Sequence, residues 1–408
     1  MNILQNTGFW SWLTFWNRPQ LDKGGQSLTF SGSSTESGES ISAETSLKLS
    51  TVWACVGLKS RTIASLSLHL RDSEKKHATD HDLYHILYST PNADMSAFVF
   101  WQAMVASLDL WGNAYALIHR SSSRRVVSLE ILYAHSVTTV RTKSGAIEYH
   151  YDTGELKKQI YQEDDIFHIK GFSLDGLTGL STIQYGADTL GGQRAADKAA
   201  SKEFKNGLKM GGFLKTGEKT LTKEQRERLR DGLAQFSLPE NAGKYMVLEA
   251  GMDVGGAKNI RMNPADAQLL ETRNFGVEQI CQMFGVPPQL VGHTDKASSW
   301  ASSLENTNMG FLTYTLTPIL KTIEQEISRK LLSPSDRKKY KAKFNVNSLM
   351  RADSSSRASF YTQMLQNGVM TTNEVRQLED LQPVDGGDTL RVQLNMTTID
   401  KIGKDDEV

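Results

Sequence analysis

Between Ala114 and Lys170 five short apolar runs follow one another with no helix-length segment between them. They span Ala114 to His119, Leu129 to Tyr133, Val137 to Thr142, Ile147 to Tyr151 and Ile166 to Lys170, and Ser144-Gly145 and Thr153-Gly154 mark turns. A doubly wound nucleotide-binding fold needs strands and helices in alternation. This order excludes it and sets the fold class as α+β.

The flanks are helical. From Ser50, Val52, Val56, Ile63 and Leu66 approximate one helix face, and Leu66, Leu68 and Leu70 then alternate as in a strand. A helix from about Ala97 to Leu110 sets Phe98, Trp101, Val105 and Leu108 on one side and stops at Gly112-Asn113. A long helix fits Ile183 to Lys209, and a second fits Thr222 to Phe236, where Thr222 and Gln225 form a capping box. Tyr245 to Leu248 reads as a strand. Asn263-Pro264 opens a helix that runs to Gly285 and is stopped by Val286-Pro287-Pro288. The pattern from Ser302 to Leu332 is again helical, yet Pro318 lies inside it. An internal proline removes one backbone bond and clashes with the preceding turn, at a cost of about 3 kcal/mol, so a kink is expected there. A strand at Lys343 to Val346 and two helices split by Asn367-Gly368 follow, the last capped by Thr371 and Glu374.

Gly24 to Ser42 is dominated by Gly, Ser and Thr and reads as a flexible linker. The aromatic N-terminal segment with Phe9, Trp10, Trp12, Phe15 and Trp16 lacks the basic face of an interfacial helix, so it reads as an arm that packs on a neighbouring chain. It also lacks the basic start and cleavage site of a signal peptide. The longest apolar stretch, Ala97 to Trp111, is too short to span a bilayer. Cys55 and Cys281 are the only cysteines and lie far apart, which excludes a disulfide scaffold and suits a reducing cytoplasm.

Motifs for catalysis are missing. Gly212 to Thr220 comes nearest to a phosphate-binding loop, but Glu218 breaks the spacing that lets backbone N–H groups and a lysine converge on one phosphate. His77, His81 and His85 would share a helix face, but the segment up to Thr79 reads as a loop, and His168 lies in a strand without a nucleophile pattern. No residue is singled out as catalytic, metal-binding or cofactor-binding, and no cofactor is implied. The helical pair from Arg357 to Leu381 resembles a DNA-reading motif in outline. However, Glu374, Glu379 and Asp380 on its second helix repel phosphate, so it reads as a packing hairpin. Lys+Arg and Asp+Glu balance at 46 each. The charge is uneven along the chain: Arg194 to Arg230 carries +6 and Ile319 to Lys343 carries +5.

Several phrases in order resemble the portal proteins of tailed double-stranded DNA bacteriophages. They are Ile63 to Leu70, Pro91-Asn92 then Trp101, Gly112-Asn113-Ala114-Tyr115-Ala116, Asp165-Ile-Phe-His168-Ile and Asp175-Gly-Leu-Thr-Gly-Leu-Ser181. Asp266 to Arg273, Phe284-Gly-Val-Pro-Pro288, Leu316-Thr-Pro318 with Ile323-Glu324, and Asn373-Glu374-Val-Arg376 leading to Gly386-Gly387-Asp388 complete them. The resemblance spans about Thr51 to Asp388; after Leu180-Ser181 it departs from the family's usual proline, with Thr182 and Ile183 in its place.

It implies a ring, usually of twelve subunits, at one capsid vertex, through which double-stranded DNA is packaged and ejected. The implied partners are the terminase large subunit, head-completion or adaptor proteins, and the major capsid and scaffold proteins. The implied setting is the virion, after assembly in the bacterial cytoplasm. Laid on this chain, the parts are a flexible arm over 1–45, an α+β wing over 46–182 and a stem helix over 183–210. A small α/β clip over 211–263, a second stem helix over 264–285 and a channel loop over 286–301 follow. A kinked tunnel helix and exit over 302–342, a returning wing strand with crown helices over 343–395 and a polar tail over 396–408 end the chain. The DNA-channel loop is expected at His293, Thr294, Asp295, Lys296, Ala297, Ser298 and Ser299, with Lys296 meeting phosphate and Pro318 kinking the tunnel helix. A zero net charge split into basic stretches and an acidic remainder fits a conduit that guides DNA without gripping it. Two other readings stay open from the sequence: an enzyme of the packaging machinery, ATPase or nuclease, and a DNA-binding regulator.

Overall fold

The computed structural model describes residues 33–73, 76–154, 158–205, 213–215, 222–236, 253–255, 264–293, 306–346, 354–379 and 381–391. The chain divides into two units between Phe344 and Asn345.

The first unit opens with a small hairpin, β1 (Ser33–Ser34) on β2 (Ser40–Ile41), followed by α1 (Ala43–Leu47). Composition alone makes this segment a linker, but it is fastened. The Thr35 hydroxyl bridges the Glu39 backbone, Ser42 caps α1, and Ile41 is buried. Short polar side chains thus close the turn, and one apolar anchor holds it down.

The helix α2 (Ser50–Ser65) buries Val52, Cys55, Val56 and Ile63, as its periodicity requires. Strand β3 (Leu68–Arg71) follows, then α3 (Asp82–Tyr88) and α4 (Ala97–Trp111). The buried stripe of α4 is Phe100, Trp101, Met104, Val105 and Leu108, whereas Phe98 is exposed. At 3.6 residues per turn, Phe98 falls roughly a quarter-turn from the centre of that stripe. Gly112 ends α4 in the left-handed region (φ 71°). A side chain there would collide with the Leu180 carbonyl.

Six strands build two antiparallel sheets: β4 (Asn113–Arg120), β5 (Val126–Leu132), β6 (Val137–Arg141), β7 (Ile147–Tyr151), β8 (Gln159–Gln162) and β9 (Ile166–Lys170). The orders are β5-β4-β9 and β6-β7-β8. Tyr115, Leu132, Val137, Tyr149 and Ile166 form one core cluster across them. The sequence pattern misses β8 because Gln159 and Gln162 flank only Ile160 and Tyr161, and Ile160 is exposed.

The single long helix expected from Ile183 is interrupted at Gly186, giving α5 (Thr182–Tyr185) and α6 (Ala187–Lys205). Beyond it lie β10 (Phe213–Lys215), α7 (Lys223–Phe236) and β11 (Asp253–Gly255), with β10 and β11 antiparallel. Thr222 and Gln225 close the capping box of α7. The strand expected at Tyr245 to Leu248, and residues 216–220 of the glycine-rich segment, lie outside the described residues. The helix α8 (Pro264–Phe284) packs along α6, with Arg273 Nε on Asp197 Oδ1 at 2.9 Å. A helical run continues from 306 to α9 (Thr317–Lys330), then come α10 (Asp336–Lys339) and β12 (Lys341–Phe344). β12 pairs antiparallel with β3, two residues earlier in the chain than the expected strand.

The second unit contains α11 (Ser354–Gln366) and α12 (Thr372–Leu378). Thr371 and Glu374 form the expected capping box. Asn373 bolts the following segment back onto α12: its Nδ2 donates to Val384 O and Asp388 Oδ1, and its Oδ1 accepts from the Val384 N–H.

Candidate functional site

Three of the sequence phrases meet at one buried polar knot. Asn113, the first residue of β4, follows the left-handed Gly112 and is therefore turned inward. Its Oδ1 accepts from the Gly179 N–H (2.7 Å) and lies 3.0 Å from His168 Nε2. Its Nδ2 donates to Trp111 O (3.0 Å) and Gly179 O (2.8 Å). An acceptor oxygen facing Nε2 fixes the proton there, so His168 Nδ1 accepts from the Tyr149 hydroxyl at 3.2 Å. His168 is wholly buried, and burial, reinforced by Lys170, Arg329 and Lys330, holds its pKa well below the ordinary value. The ring is a neutral brace, stacked on Tyr115.

This knot holds a loop, residues 171–181. The Gly171 N–H donates to Gly112 O, the Leu180 N–H to Phe172 O, and the Ser181 hydroxyl to Leu110 O. At the loop's far end Asp175 Oδ1 accepts from the Leu177 and Thr178 N–H groups, and Lys170 Nζ donates to Gly176 O. Gly179 leaves no room for a side chain against Gly112 O. The result is a braced loop that presents Phe172 and Leu174, 75% and 77% exposed, to the outside. Burying a large apolar side chain is worth about 1.5–3 kcal/mol.

Two further phrases meet where the helical run approaches Pro318. Phe311–Leu316 is π-helical, and the Thr317 N–H reaches back five residues to Leu312 O. The Thr317 hydroxyl donates to the same oxygen at 2.8 Å. The π turn lies immediately before the proline, where the ordinary ladder loses a donor. Thr315 Oγ1 donates to Gly285 O, tying this turn to the end of α8, and Tyr314 is 83% exposed. Beyond Pro318, α9 buries Leu320, Ile323 and Ile327. Its end is clamped by Glu163, which meets Arg329 Nη1 (3.0 Å) and Lys330 Nζ (3.1 Å). Burial alone would raise the Glu163 pKa; the two cations outweigh it and hold the carboxyl low. Glu324 does the same for β12, accepting from Lys343 Nζ and the Phe344 N–H.

Of the expected channel-loop residues, His293 is described. Its backbone N–H closes on Pro288 O, and its Nε2 lies 3.8 Å from Glu278 Oε1. Thr294, Asp295, Lys296, Ala297, Ser298 and Ser299 lie outside the described residues. Among the described residues no hydrogen bond or ion pair joins His293 to Pro318. His77 stacks on His69 at 4.1 Å, and His81 caps α3, so these histidines serve separate local roles. Among the described residues no group of His, Cys, Asp and Glu is placed to hold a metal ion. No helix of these residues is long and apolar enough to cross a membrane.

The sequence reading missed the clamp of the N-terminal hairpin on α6, where Glu39 meets Lys198 Nζ at 2.6 Å and Arg194 Nε at 3.2 Å. The Lys198 bond holds the Glu39 carboxyl below its usual range. It also missed a buried ion pair, Lys59 Nζ to Asp109 Oδ1 at 2.6 Å, joining α2 to α4. A charged residue on an apolar helix face was the available signal in both helices.

The family model described as "Phage portal protein" matches residues 50–380. The portal protein of Enterobacteria phage HK97 is 33% identical over 416 residues, covering 100% of this chain and 97% of that protein. The probable portal protein of Streptomyces phage phiC31 is 32% identical over 385 residues, covering 90% and 82%. Among solved structures, a chain from the neck of a native gene transfer agent particle, computed with C12 symmetry, superposes with a TM-score of 0.57 at 23% identity, covering 83% of this chain and 93% of that one. The antiparallel α+β order, the phrases that meet in the Asn113 knot, and a match running through both units agree: the chain belongs to the phage portal protein family.

Proposed function

We propose that this chain is the portal subunit of a tailed phage or prophage: identical copies, twelve in the ring, sit at one capsid vertex and form the passage for double-stranded DNA during packaging and ejection. The observation that carries the ring is the braced 171–181 loop with Phe172 and Leu174 outward. A cyclic ring needs every copy to offer a patch that its neighbour buries, and C12 symmetry in the related neck supports that count. The role is structural rather than enzymatic. The terminase large subunit docks on the ring during filling, head-completion or adaptor proteins follow, and the major capsid and scaffold proteins surround it. Assembly takes place in the bacterial cytoplasm.

In this reading residues 46–182 are the wing, 183–210 and 264–285 the stem, 211–263 the clip and 302–342 the tunnel helix with its bend at Pro318. His293 to Ser299 faces the channel, and Lys296 touches phosphate. Negative-stain images and native mass spectrometry of the purified chain test the reading. Rings with a central hole are expected. A monomer at every accessible concentration refutes it, and Mg²⁺-dependent nucleotide hydrolysis by the chain alone refutes the structural role.

A further inference from the structure

Cys55 in α2 and Cys281 in the last turn of α8 are 226 residues apart in sequence, yet their sulfurs lie 4.0 Å apart. Both thiols are free and completely buried. The Cys55 S–H points at the Cys281 sulfur; keeping that bond, together with burial, pushes the Cys55 thiol up, and the same bond holds Cys281 below its ordinary value. Lys59 and Asp109 act on Cys55 from α2 and α4, and Glu278 acts on Cys281 from α8. The 4.0 Å separation sets one sulfur within reach of the other, with Cys281 the acceptor of the Cys55 S–H.

We propose that Cys55 and Cys281 are a cross-linking site, at which a peroxide converts the buried dithiol into a disulfide that ties α2 to α8. The Cys281 thiolate attacks one peroxide oxygen; an S–O bond forms, the O–O bond breaks, and hydroxide leaves and is protonated. Cys55 sulfur then attacks the sulfenic sulfur. An S–S bond forms, the S–O bond breaks, and the departing hydroxide takes the Cys55 proton as water. Two thiols lose two electrons, and one peroxide becomes two waters. Closing the sulfur gap to about 2.05 Å needs side-chain rotation of roughly 2 Å.

Access comes through one helix turn. The Val286 N–H on Cys281 O closes the end of α8, and Gly285 follows in the left-handed region. Opening that turn is the route by which hydrogen peroxide would reach the sulfurs. Because Gly285 O also receives the Thr315 hydroxyl, the cross-link fixes the π-helical turn before Pro318 as well. In a reducing compartment the pair stays a dithiol and α8 keeps its freedom; outside one, the tie closes.

The test uses the full wild-type chain. It is treated with hydrogen peroxide, quenched, unfolded in N-ethylmaleimide and mapped by mass spectrometry. The expected product takes up no maleimide and yields one cross-linked peptide pair containing both cysteines, about 2 Da lighter than the two thiol peptides together, and dithiothreitol reverses the cross-link. The exposed Met309 reports that peroxide acted. Two alkylated cysteines alongside oxidised Met309, a sulfinic acid on one cysteine, or a disulfide between chains each overturns the proposal. Hydrogen exchange of residues 281–286 is expected to slow at least threefold in the oxidised form; unchanged exchange overturns the claim that the tie restrains α8.

Discussion

Replacing Asn113 with alanine removes the centre of the polar knot. Two buried donors, the Gly179 N–H and His168 Nε2–H, then lose their acceptor, and two carbonyls lose a donor. A buried donor left unsatisfied costs about 1–3 kcal/mol, so the two together cost about 4 kcal/mol. The loss falls on the 171–181 loop, because Gly179 is its anchor. At about 1.4 kcal/mol per tenfold, the protection of the Gly179 amide against hydrogen exchange drops by roughly a thousandfold. Amides of α9 keep theirs. Asn113→Asp keeps one acceptor but buries a carboxylate whose second oxygen faces the Trp111 and Gly179 carbonyls, so its drop is no smaller than that of alanine. The measurement is site-resolved exchange on the full chain at neutral pH. If Gly179 in the alanine variant stays within threefold of wild type, the knot does not brace the loop and the reasoning fails.

Lys59→Met strips the buried Asp109 carboxyl of its cation, with an expected loss of about 3–5 kcal/mol in denaturant unfolding, and the double change Lys59→Met/Asp109→Leu recovers most of it; a double variant as weak as the single contradicts this. His69 is held at about 4, chiefly by burial and then by His77 and Arg71, against about 6.5 when unfolded. The unfolded chain therefore binds more protons between those values, so stability is full above pH 6.5 and falls by up to about 3 kcal/mol as pH drops to 4. His69→Gln is expected to flatten the thermal midpoint across that window, and equal slopes count against it. Pro318→Ala restores a backbone donor and is expected to replace the π-helical turn with regular helix and to impair packaging by assembled particles more than folding; packaging at the wild-type rate contradicts the second part. Phe172→Ser with Leu174→Ser is expected to abolish rings while Gly179 protection persists; rings of normal stability sink the assignment of the loop.

Local sequence chemistry made the helices and most strands legible. The stripe of α2, the stop at Gly112 and both capping boxes follow from spacing and from side chains that bond within three residues. The phrases that resemble the family were visible as words, but their meaning was not. Asn113, His168 and Gly179 stand up to 66 residues apart and become one object only when β4 and β9 pair. Glu39 with Lys198 and Cys55 with Cys281 were hidden for the same reason, since no local pattern encodes a partner that far along the chain. The hairpin at 33–41 escaped because composition measures what a segment contains. It does not show that one buried isoleucine and three polar anchors suffice to fix it.

The pairing of β3 with β12 sets a clock on synthesis. Arg71 finds its partner Lys341 about 270 residues later. At 5–20 residues per second, β3 waits roughly 15–55 s after leaving the ribosome before its edge is covered. During that time Leu68 and Leu70, fully buried in the finished unit, have an open strand edge beside them. A nascent subunit is therefore most exposed to premature pairing with another unfinished copy before Phe344 emerges. Productive pairing of β3 therefore has to wait until β12 has emerged.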